Sequence, residues 1–205
     1  MKYNVTLLKQ KNYKPTFWSG GMATELTTYP LNSDYASKNF LWRLGVAKID
    51  IDESTFTNLP NISRKLMVID GKITLDHENK YKKTLTSFEQ DAFMGDLTTK
   101  TYGQSTVFNL MTRENYDGDL LYLSLKPNSQ LNFEYKTPPN KNLETICFYT
   151  VSGSFKCTIY DKVLEAASKD LILIKNIVSS CNPEVMLSNT ALVEADIIVS
   201  IIYKN

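Results

Sequence analysis

The sequence is poor in the residues that most often build metal and catalytic sites. Its 205 residues include one histidine, His77, and three cysteines, Cys147, Cys157 and Cys181, with no CxxC spacing. A cage of three histidines is therefore impossible within one chain, and we predict neither a metal nor a cofactor. The odd number of cysteines favours reduced, buried thiols in a cytoplasmic protein, with a Cys147–Cys157 disulfide across a hairpin as the alternative.

The sequence also lacks an excess of charge, basic clusters and long apolar runs. The formal net charge is +1, from 23 basic and 22 acidic residues. We therefore expect neither nucleic acid nor an anionic membrane to be a partner. No apolar run approaches the roughly 20 residues of a membrane-spanning helix, and the N-terminal residues lack the apolar core of a signal peptide.

Helical patterns are scarce as well, since only residues 162–169 have a helical composition, and the segment is short. Strand patterns fill the rest of the chain. The longest, residues 40–51, is apolar on both faces, because Phe40, Trp42 and Leu44 alternate with residues such as Leu41 and Ile49. A strand covered on both sides is typical of a sandwich or barrel, so the sequence predicts an all-β fold.

A strand, a glycine turn and a return strand occur twice in outline. Asp70-Gly71 lies between two apolar runs and predicts a hairpin. The first copy continues to Leu85 and Gly95-Asp96, and the second runs through Gly153 and Leu164 to Asp170. This repeat predicts two fused antiparallel jelly-roll barrels, residues 1–118 and 119–205, in one compact unit, with strand exchange between them allowed. Chance similarity between β-hairpins is the alternative.

Residues 17–30 combine an aromatic side chain, two glycines and a carboxylate. Gly20-Gly21 gives the backbone freedom, while Trp18 precedes this turn and Glu25 follows it. Such a stretch fits the wall of a small-ligand pocket, and it equally fits an ordinary entry into a strand.

Two arginines lie in phase with apolar strand positions. Arg43 shares a strand face with Gly45 and Ala47, whose small side chains leave space, and Arg64 is in phase with Leu66. A buried arginine needs a partner, and its planar fork suits a carboxylate. That partner is either a ligand or another residue of the protein, and surface charge at a strand end is the remaining alternative. His77, beside Asp76 and Glu78, is expected to be exposed at a strand end.

Three segments, in this order and spacing, resemble the HutD/Ves family of bicupin proteins, which is associated with bacterial histidine utilisation. They are Trp18–Leu26 with Tyr29-Pro30; Phe40–Ala47 with Phe56, Leu59-Pro60 and Ile62–Gly71; and Phe93–Asp96 with Phe108–Arg113. The chain departs from the family pattern at Gly45, Asn61, Ser63 and Val107, where polar groups or a glycine are replaced. The resemblance implies a cupin-like fold without the usual metal-binding histidines. It also implies binding of a histidine-breakdown intermediate such as formiminoglutamate or urocanate, and it carries no established catalytic activity.

We therefore predict a non-enzymatic small-molecule sensor of amino-acid catabolism that has a carboxylate ligand and no catalytic residues. The alternatives are a metal-free cupin enzyme with Glu25 as general base, and an interaction module without a pocket. A homodimer is compatible with the sequence. Arg43 is the expected anchor, Arg64 holds a second carboxylate or orients Glu25, and Asn109 contacts a polar nitrogen group. The predicted ligand-binding residues are Trp18, Gly20, Gly21, Thr24, Glu25, Arg43, Arg64, Phe108, Asn109 and Met111.

Overall fold

The computed structural model describes residues 3–175 and 183–205. Across these residues the chain forms nineteen strands and one 3-10 helix, Gln10–Asn12, so the all-β prediction is confirmed. The strands are β1 (Asn4–Leu8), β2 (Pro15–Trp18), β3 (Gly21–Tyr29), β4 (Trp42–Ile49), β5 (Glu53–Thr55), β6 (Ile62–Gly71), β7 (Ile73–His77), β8 (Tyr81–Leu85), β9 (Gln90–Met94), β10 (Thr99–Tyr102), β11 (Ser105–Arg113), β12 (Tyr116–Leu125), β13 (Ser129–Phe133), β14 (Asn142–Ser152), β15 (Ser154–Ile159), β16 (Lys162–Ala167), β17 (Leu171–Lys175), β18 (Val185–Asn189) and β19 (Ala195–Lys204). Within the described ranges, no helix is long and apolar enough to cross a membrane.

The chain divides into two compact units, and the first is Tyr13–Tyr116. It contains a six-stranded sheet in the order β2-β3-β4-β11-β6-β9 and a four-stranded sheet in the order β5-β10-β7-β8. Buried apolar side chains from both sheets pack against one another, so the unit is a β-sandwich. This core contains Ile49, Leu66, Val68, Ile73, Leu75, Leu85, Phe93 and Val107.

The second unit combines Met1–Asn12 with Asp117–Asn205. It contains a five-stranded sheet in the order β1-β17-β14-β19-β12 and a four-stranded sheet in the order β13-β18-β15-β16, with an aliphatic and aromatic core between them. The sequence-based division at residue 118 had assigned β1 to the first unit. The structure pairs β1 with β17, because strand pairing depends on backbone register and not on closeness in the chain.

The turn at Asp70-Gly71 does not form the predicted hairpin. β6 belongs to the six-stranded sheet, whereas the following strand β7 pairs with β8 and β10 in the four-stranded sheet. The chain therefore passes from one sheet to the other at Gly71. A glycine is needed there, because its φ is +86° and a Cβ would lie 2.5 Å from the backbone oxygen of Gln104.

The predicted helical segment is a strand. β16 pairs along its whole length with β15, from Ile159 opposite Lys162 to Ser154 opposite Ala167. Ala166 is fully buried and Leu164 packs on the core of the second unit. Eight residues are too few for a stable isolated helix, so sheet pairing decides the conformation.

The repeat exists at the level of backbone hydrogen bonds. In the first unit, the N–H of Phe88 donates to the Val68 carbonyl at 2.7 Å, and the Val68 N–H donates to the Glu89 carbonyl at 3.0 Å. The same two bonds recur 81 or 82 residues later, at 2.6 and 3.0 Å, among Thr150, Lys169 and Asp170. Asp170 lies in the turn before β17 and therefore corresponds to Glu89, which lies in the turn before β9. It does not correspond to Asp96, which lies after β9.

Cys147 and Cys157 are free and buried, as expected for structural thiols. Burial raises the pKa of each thiol to about 12, so both are protonated and unreactive near neutral pH. Cys181 lies outside the described residues.

Candidate functional site

Arg43 and Glu25 meet on the inner face of the six-stranded sheet. Glu25 lies opposite Gly45 in the β3–β4 register, and the Arg43 Nε donates to Glu25 Oε2 at 2.8 Å. A Cβ on Gly45 would lie 2.9 Å from Arg43 Nη1, so the guanidinium itself fills the space that Gly45 leaves. The Arg43 Cζ also lies 4.7 Å from the centroid of the Tyr35 ring. Arg43 therefore has partners within the protein, and the space beside it is already occupied.

Arg64 lies on the same face, two strands away, and has no acidic partner in residues 3–175 and 183–205. The β11 register places Met111 opposite both Arg43 and Arg64. Arg64 is only 5% exposed, and its Nη2 donates to Asn109 Oδ1 at 3.2 Å. Its Nε is buried without a hydrogen-bond partner among the described residues. Glu25 on this face pairs with Arg43, and Asp91, opposite Leu66 on the same face, pairs with Lys83 and His77. Among the described residues, Arg64 is therefore the cation of this face without an ion pair.

Two aromatic rings hold the Arg64 guanidinium. Its Cζ lies 4.5 Å from the centroid of the Phe56 ring and 5.1 Å from that of Phe93, both within cation–π range. Burial lowers the pKa of Arg64 to about 10, while the electrostatic influence of Tyr35 raises it and that of Arg43 lowers it. Arg64 is still cationic at pH 7, so the part of the chain that the structure describes leaves a buried positive charge without a counter-ion.

The five residues Glu25, Arg43, Arg64, Asn109 and Met111 share this face, whereas two predicted residues do not. Thr24 lies opposite Val46, and Phe108 lies opposite Val46 and Met67, so both point away from the Arg43 face. Phe108 therefore cannot form an apolar wall together with Met111. Side chains of consecutive strand residues point to opposite sides of the sheet. The prediction ignored this alternation for Thr24 and Phe108.

The glycine turn lies at the other end of β4. Gly21 pairs with Ile49, which is six residues from Arg43 and hence about 20 Å away along the strand. A Cβ on Gly20 would lie 2.2 Å from the Trp18 ring, and a Cβ on Gly21 would lie 2.0 Å from the Lys48 carbonyl oxygen. Packing of the Trp18 ring and close backbone approach thus explain both glycines, and these three residues do not join Arg64.

His77 is fully buried, so the expectation of an exposed strand-end histidine is wrong. Its Nε2 lies 3.0 Å from Asp91 Oδ2 and its Nδ1 lies 2.8 Å from Thr99 Oγ1. Asp91 also accepts hydrogen bonds from the Tyr81 hydroxyl at 3.0 Å and from Lys83 Nζ at 3.1 Å. His77 is the last residue of β7 and its side chain points inward, a direction that composition alone could not indicate.

The second unit serves as an internal comparison for these buried polar residues. Arg64 lies opposite Phe93 and Met111, and the residue in the same register of the second unit is Ile146, opposite Ile174 and Ile201. By the same correspondence, Asn109, Asp91 and His77 are replaced by Val199, Ile172 and Ile159. All four replacements are buried and aliphatic. A sandwich of this type therefore packs without polar groups at these positions, and the polar set in the first unit is not a requirement of the fold.

A cavity of about 1270 Å³ lies in the second unit and includes none of the ten predicted residues. Its lining includes Phe133, Leu143 and Ile146, and its polar residues include Tyr135 and Lys141. Tyr135 donates to Asp119 at 2.8 Å, and Lys141 pairs with Asp117 at 3.8 Å. This cavity presents the aliphatic Ile146 where the first unit presents Arg64, and the cations in its lining are Lys136 and Lys141.

Sequence reasoning missed Tyr35 beside Arg43, and Phe56 and Phe93 beside Arg64. Phe56 belongs to a segment that carries the family resemblance, which is a signal that could have identified it. Tyr35 lies in the connection between β3 and β4 and packs near Phe40, Leu59 and Met111. No periodic pattern marks such a connection, so its position depends on the folded chain.

The described part of the chain contains no group of three histidine, cysteine, aspartate or glutamate side chains arranged to hold a metal ion. We expect elemental analysis of protein purified without a tag to find less than one transition metal per chain. A stoichiometric metal would contradict this expectation and would require a ligand set other than histidines.

Comparisons with known proteins agree with this architecture. The family model described as HutD matches residues 10–183. A conserved protein of unknown function from Pseudomonas aeruginosa PAO1 superposes with a TM-score of 0.80 at 15% identity, covering 97% of this chain and 98% of that one. HutD from Pseudomonas fluorescens SBW25 gives 0.67 at 17% identity, with 96% and 98% covered. A mutant of oxalate decarboxylase from Bacillus subtilis gives 0.69 at 7% identity, with 97% and 77% covered. At such identities the structural matches establish a cupin-like fold alone.

Proposed function

The chain belongs to the HutD family, and we propose that it binds a small nitrogen-containing carboxylate beside Arg64 without transforming it. The observation that carries this proposal is the Arg64 guanidinium, which is buried and cationic, has an unpaired Nε, and has no ion pair with a described carboxylate. A ligand carboxylate supplies the missing counter-ion and accepts the Nε–H. The isoleucine at the corresponding position of the second unit supports a role in binding and not in folding.

The neighbouring side chains define what the ligand carries. Asn109 lies within hydrogen-bond distance of Arg64 and offers both a donor and an acceptor to a nitrogen group. Met111 adds apolar contact on the same face. Glu25, Tyr35 and Phe56 are the partly exposed members of the group, so the ligand enters past them. The proposed ligand-binding residues are Glu25, Tyr35, Arg43, Phe56, Arg64, Phe93, Asn109 and Met111.

The family resemblance and this chemistry together favour a histidine-breakdown intermediate, namely formiminoglutamate or urocanate. Both combine a carboxylate with a nitrogen group. The protein then acts as a sensor or regulator of histidine catabolism. The proposal also takes the two units as two fused cupin barrels, which the recurring turn geometry and the paired sheets of each unit support.

Calorimetry on the parent protein tests the proposal. We expect saturable binding of urocanate or formiminoglutamate and none of imidazole, which shares the nitrogen ring of urocanate and lacks its carboxylate. Formate is a useful minimal carboxylate, since the Pseudomonas fluorescens relative was solved in a formate condition. A ligand at about 100 times its Kd stabilises the native state by about 2.7 kcal/mol, which a melting curve detects.

Two results would count against the proposal. Failure of every carboxylate to bind removes the ligand-binding role and favours an interaction module. Turnover of a bound carboxylate, detected by mass spectrometry, supports the enzyme alternative with Glu25 as general base.

A further inference from the structure

We infer that His77 and Asp91 are positioning residues that hold Phe93, and through it Arg64, in the ligand-binding geometry. This inference rests on the proposed function of Arg64 and extends it to residues that no ligand touches. Neither His77 nor Asp91 belongs to the predicted site, and His77 has no solvent-exposed surface.

The contact between His77 and Asp91 joins the two sheets of the first unit. His77 ends β7 of the four-stranded sheet, and Asp91 lies on β9 of the six-stranded sheet. Both ring nitrogens of His77 are engaged, one by Asp91 and one by Thr99, so the imidazole has a fixed orientation. Asp91 is fixed in turn, since Tyr81 and Lys83 from β8 also donate to its carboxylate.

The fixed imidazole lies against the ring that contacts Arg64. The His77 and Phe93 ring centroids are 4.6 Å apart, and the Phe93 centroid is 5.1 Å from the Arg64 Cζ. Phe93 is two residues from Asp91 on β9, so the two side chains share a face. A continuous series of packed groups therefore runs from Asp91 through His77 and Phe93 to the guanidinium.

The second unit indicates why this polar pair exists. Ile159 and Ile172 occupy the corresponding positions, and Ile174 replaces Phe93. A buried ionisable pair contributes little to stability compared with well-packed aliphatic residues. The pair occurs only in the unit that carries Arg64, and buried polar groups that the fold does not need are expected at functional sites.

The decisive variant is the double substitution His77→Ile/Asp91→Ile, which gives the first unit the pair found in the second. The matched control is Thr74→Val/Thr84→Val, which removes a 2.9 Å hydrogen bond between the outer faces of β7 and β8. Three properties are measured on both variants and the parent: the melting temperature, the affinity for urocanate, and the NMR signal of the Arg64 Nε–H.

We expect the melting temperature of the double variant to be close to that of the parent. Each single isoleucine variant should melt at a lower temperature, because the remaining His77 or Asp91 is buried without the other. Urocanate affinity should fall by about 10-fold or more. Metal sites lose affinity by this amount when a residue that orients a ligand side chain is replaced. The Arg64 Nε–H signal should shift in the double variant and stay in place in the control.

Parent-like urocanate affinity together with an unchanged Nε–H signal in the folded double variant would overturn the inference. If the parent binds none of urocanate, formiminoglutamate and formate, the proposed function fails and the Nε–H signal alone decides the positioning role. If the isoleucine pair does not fold, His77→Gln, which keeps a polar side chain opposite Asp91, is compared with the same control by the same two readouts.

Discussion

Replacing Arg64 with methionine is expected to abolish carboxylate binding and to leave the free energy of unfolding unchanged or higher. Methionine keeps an unbranched apolar side chain beside Phe56 and Phe93, which the Arg64 guanidinium contacts. It also removes a buried charge that has no ion pair among the described residues. Loss of a buried charged contact weakens binding by about 2–5 kcal/mol. Calorimetry with urocanate and a denaturant titration measure the two effects separately.

Arg113→Met is the matched control, because Arg113 lies on β11 of the same unit but has partners within the protein. It donates to the Lys38 carbonyl and forms an ion pair with Glu114. Its affinity for urocanate should equal that of the parent. Arg43→Ala should weaken binding less than Arg64→Met, since Arg43 is neutralised by Glu25. An Arg64→Met variant that unfolds easily without ligand, or one that binds like the parent, would show that Arg64 is structural.

Replacing Asp91 with alanine is expected to cost about 3–5 kcal/mol of unfolding free energy, the range for removing one partner of a buried charged network. The substitution leaves His77 without its Nε2 partner in a fully buried position, and it removes the acceptor of both Tyr81 and Lys83. Denaturant titration of the parent and the variant at pH 7 measures the loss.

The control for Asp91 is Asp76→Ala, which removes the 2.8 Å ion pair with Lys82 on the outer side of the four-stranded sheet. Lys82 is largely exposed, so this loss should be at most about 1 kcal/mol. Equal effects of the two substitutions would contradict the special role of the buried network.

The contribution of Asp91 also depends on pH. Burial raises the pKa of Asp91, yet hydrogen bonds from Lys83, His77 and Tyr81 outweigh it and bring the pKa below its usual value of 3.8. The folded state therefore holds the proton less tightly than the unfolded state. This stabilisation is complete above the unfolded pKa and is lost as the pH falls through the folded pKa. The stability difference between the parent and Asp91→Ala should accordingly begin to narrow as the pH falls below about 4.

Part of the candidate site was readable from the sequence. Arginines in phase with apolar residues identified the inner face of β4 and β6, and Arg43 and Arg64 do lie there. The choice of Arg43 as anchor rested on the space beside Gly45, but the structure fills that space with the Arg43 guanidinium itself. Small residues in a strand indicate that space exists beside the arginine. They do not indicate whether a ligand or the arginine itself fills that space.

The remaining site residues depended on contacts between distant parts of the chain. His77 looked like a surface residue because its neighbours Asp76 and Glu78 are polar. Its side chain instead points into the space between the two sheets and contacts Asp91 on the opposite sheet. The prediction brought Trp18 and Gly20 together with Arg43 in one pocket, but the antiparallel register of β3 and β4 places them at the far end of the strand. Residues 162–169 looked helical, and pairing with β15 made most of them a strand.

The sequence by itself determined the all-β class, the inner and outer faces of the long strands, and the absence of a three-histidine metal site. These properties follow from composition and from the alternation of side chains along a strand, which are local. Only the tertiary structure decided which charges have partners. Strand register brings Glu25 to Arg43 and His77 to Asp91 and leaves Arg64 with two aromatic rings and an amide, and register is set by the packing of both sheets together.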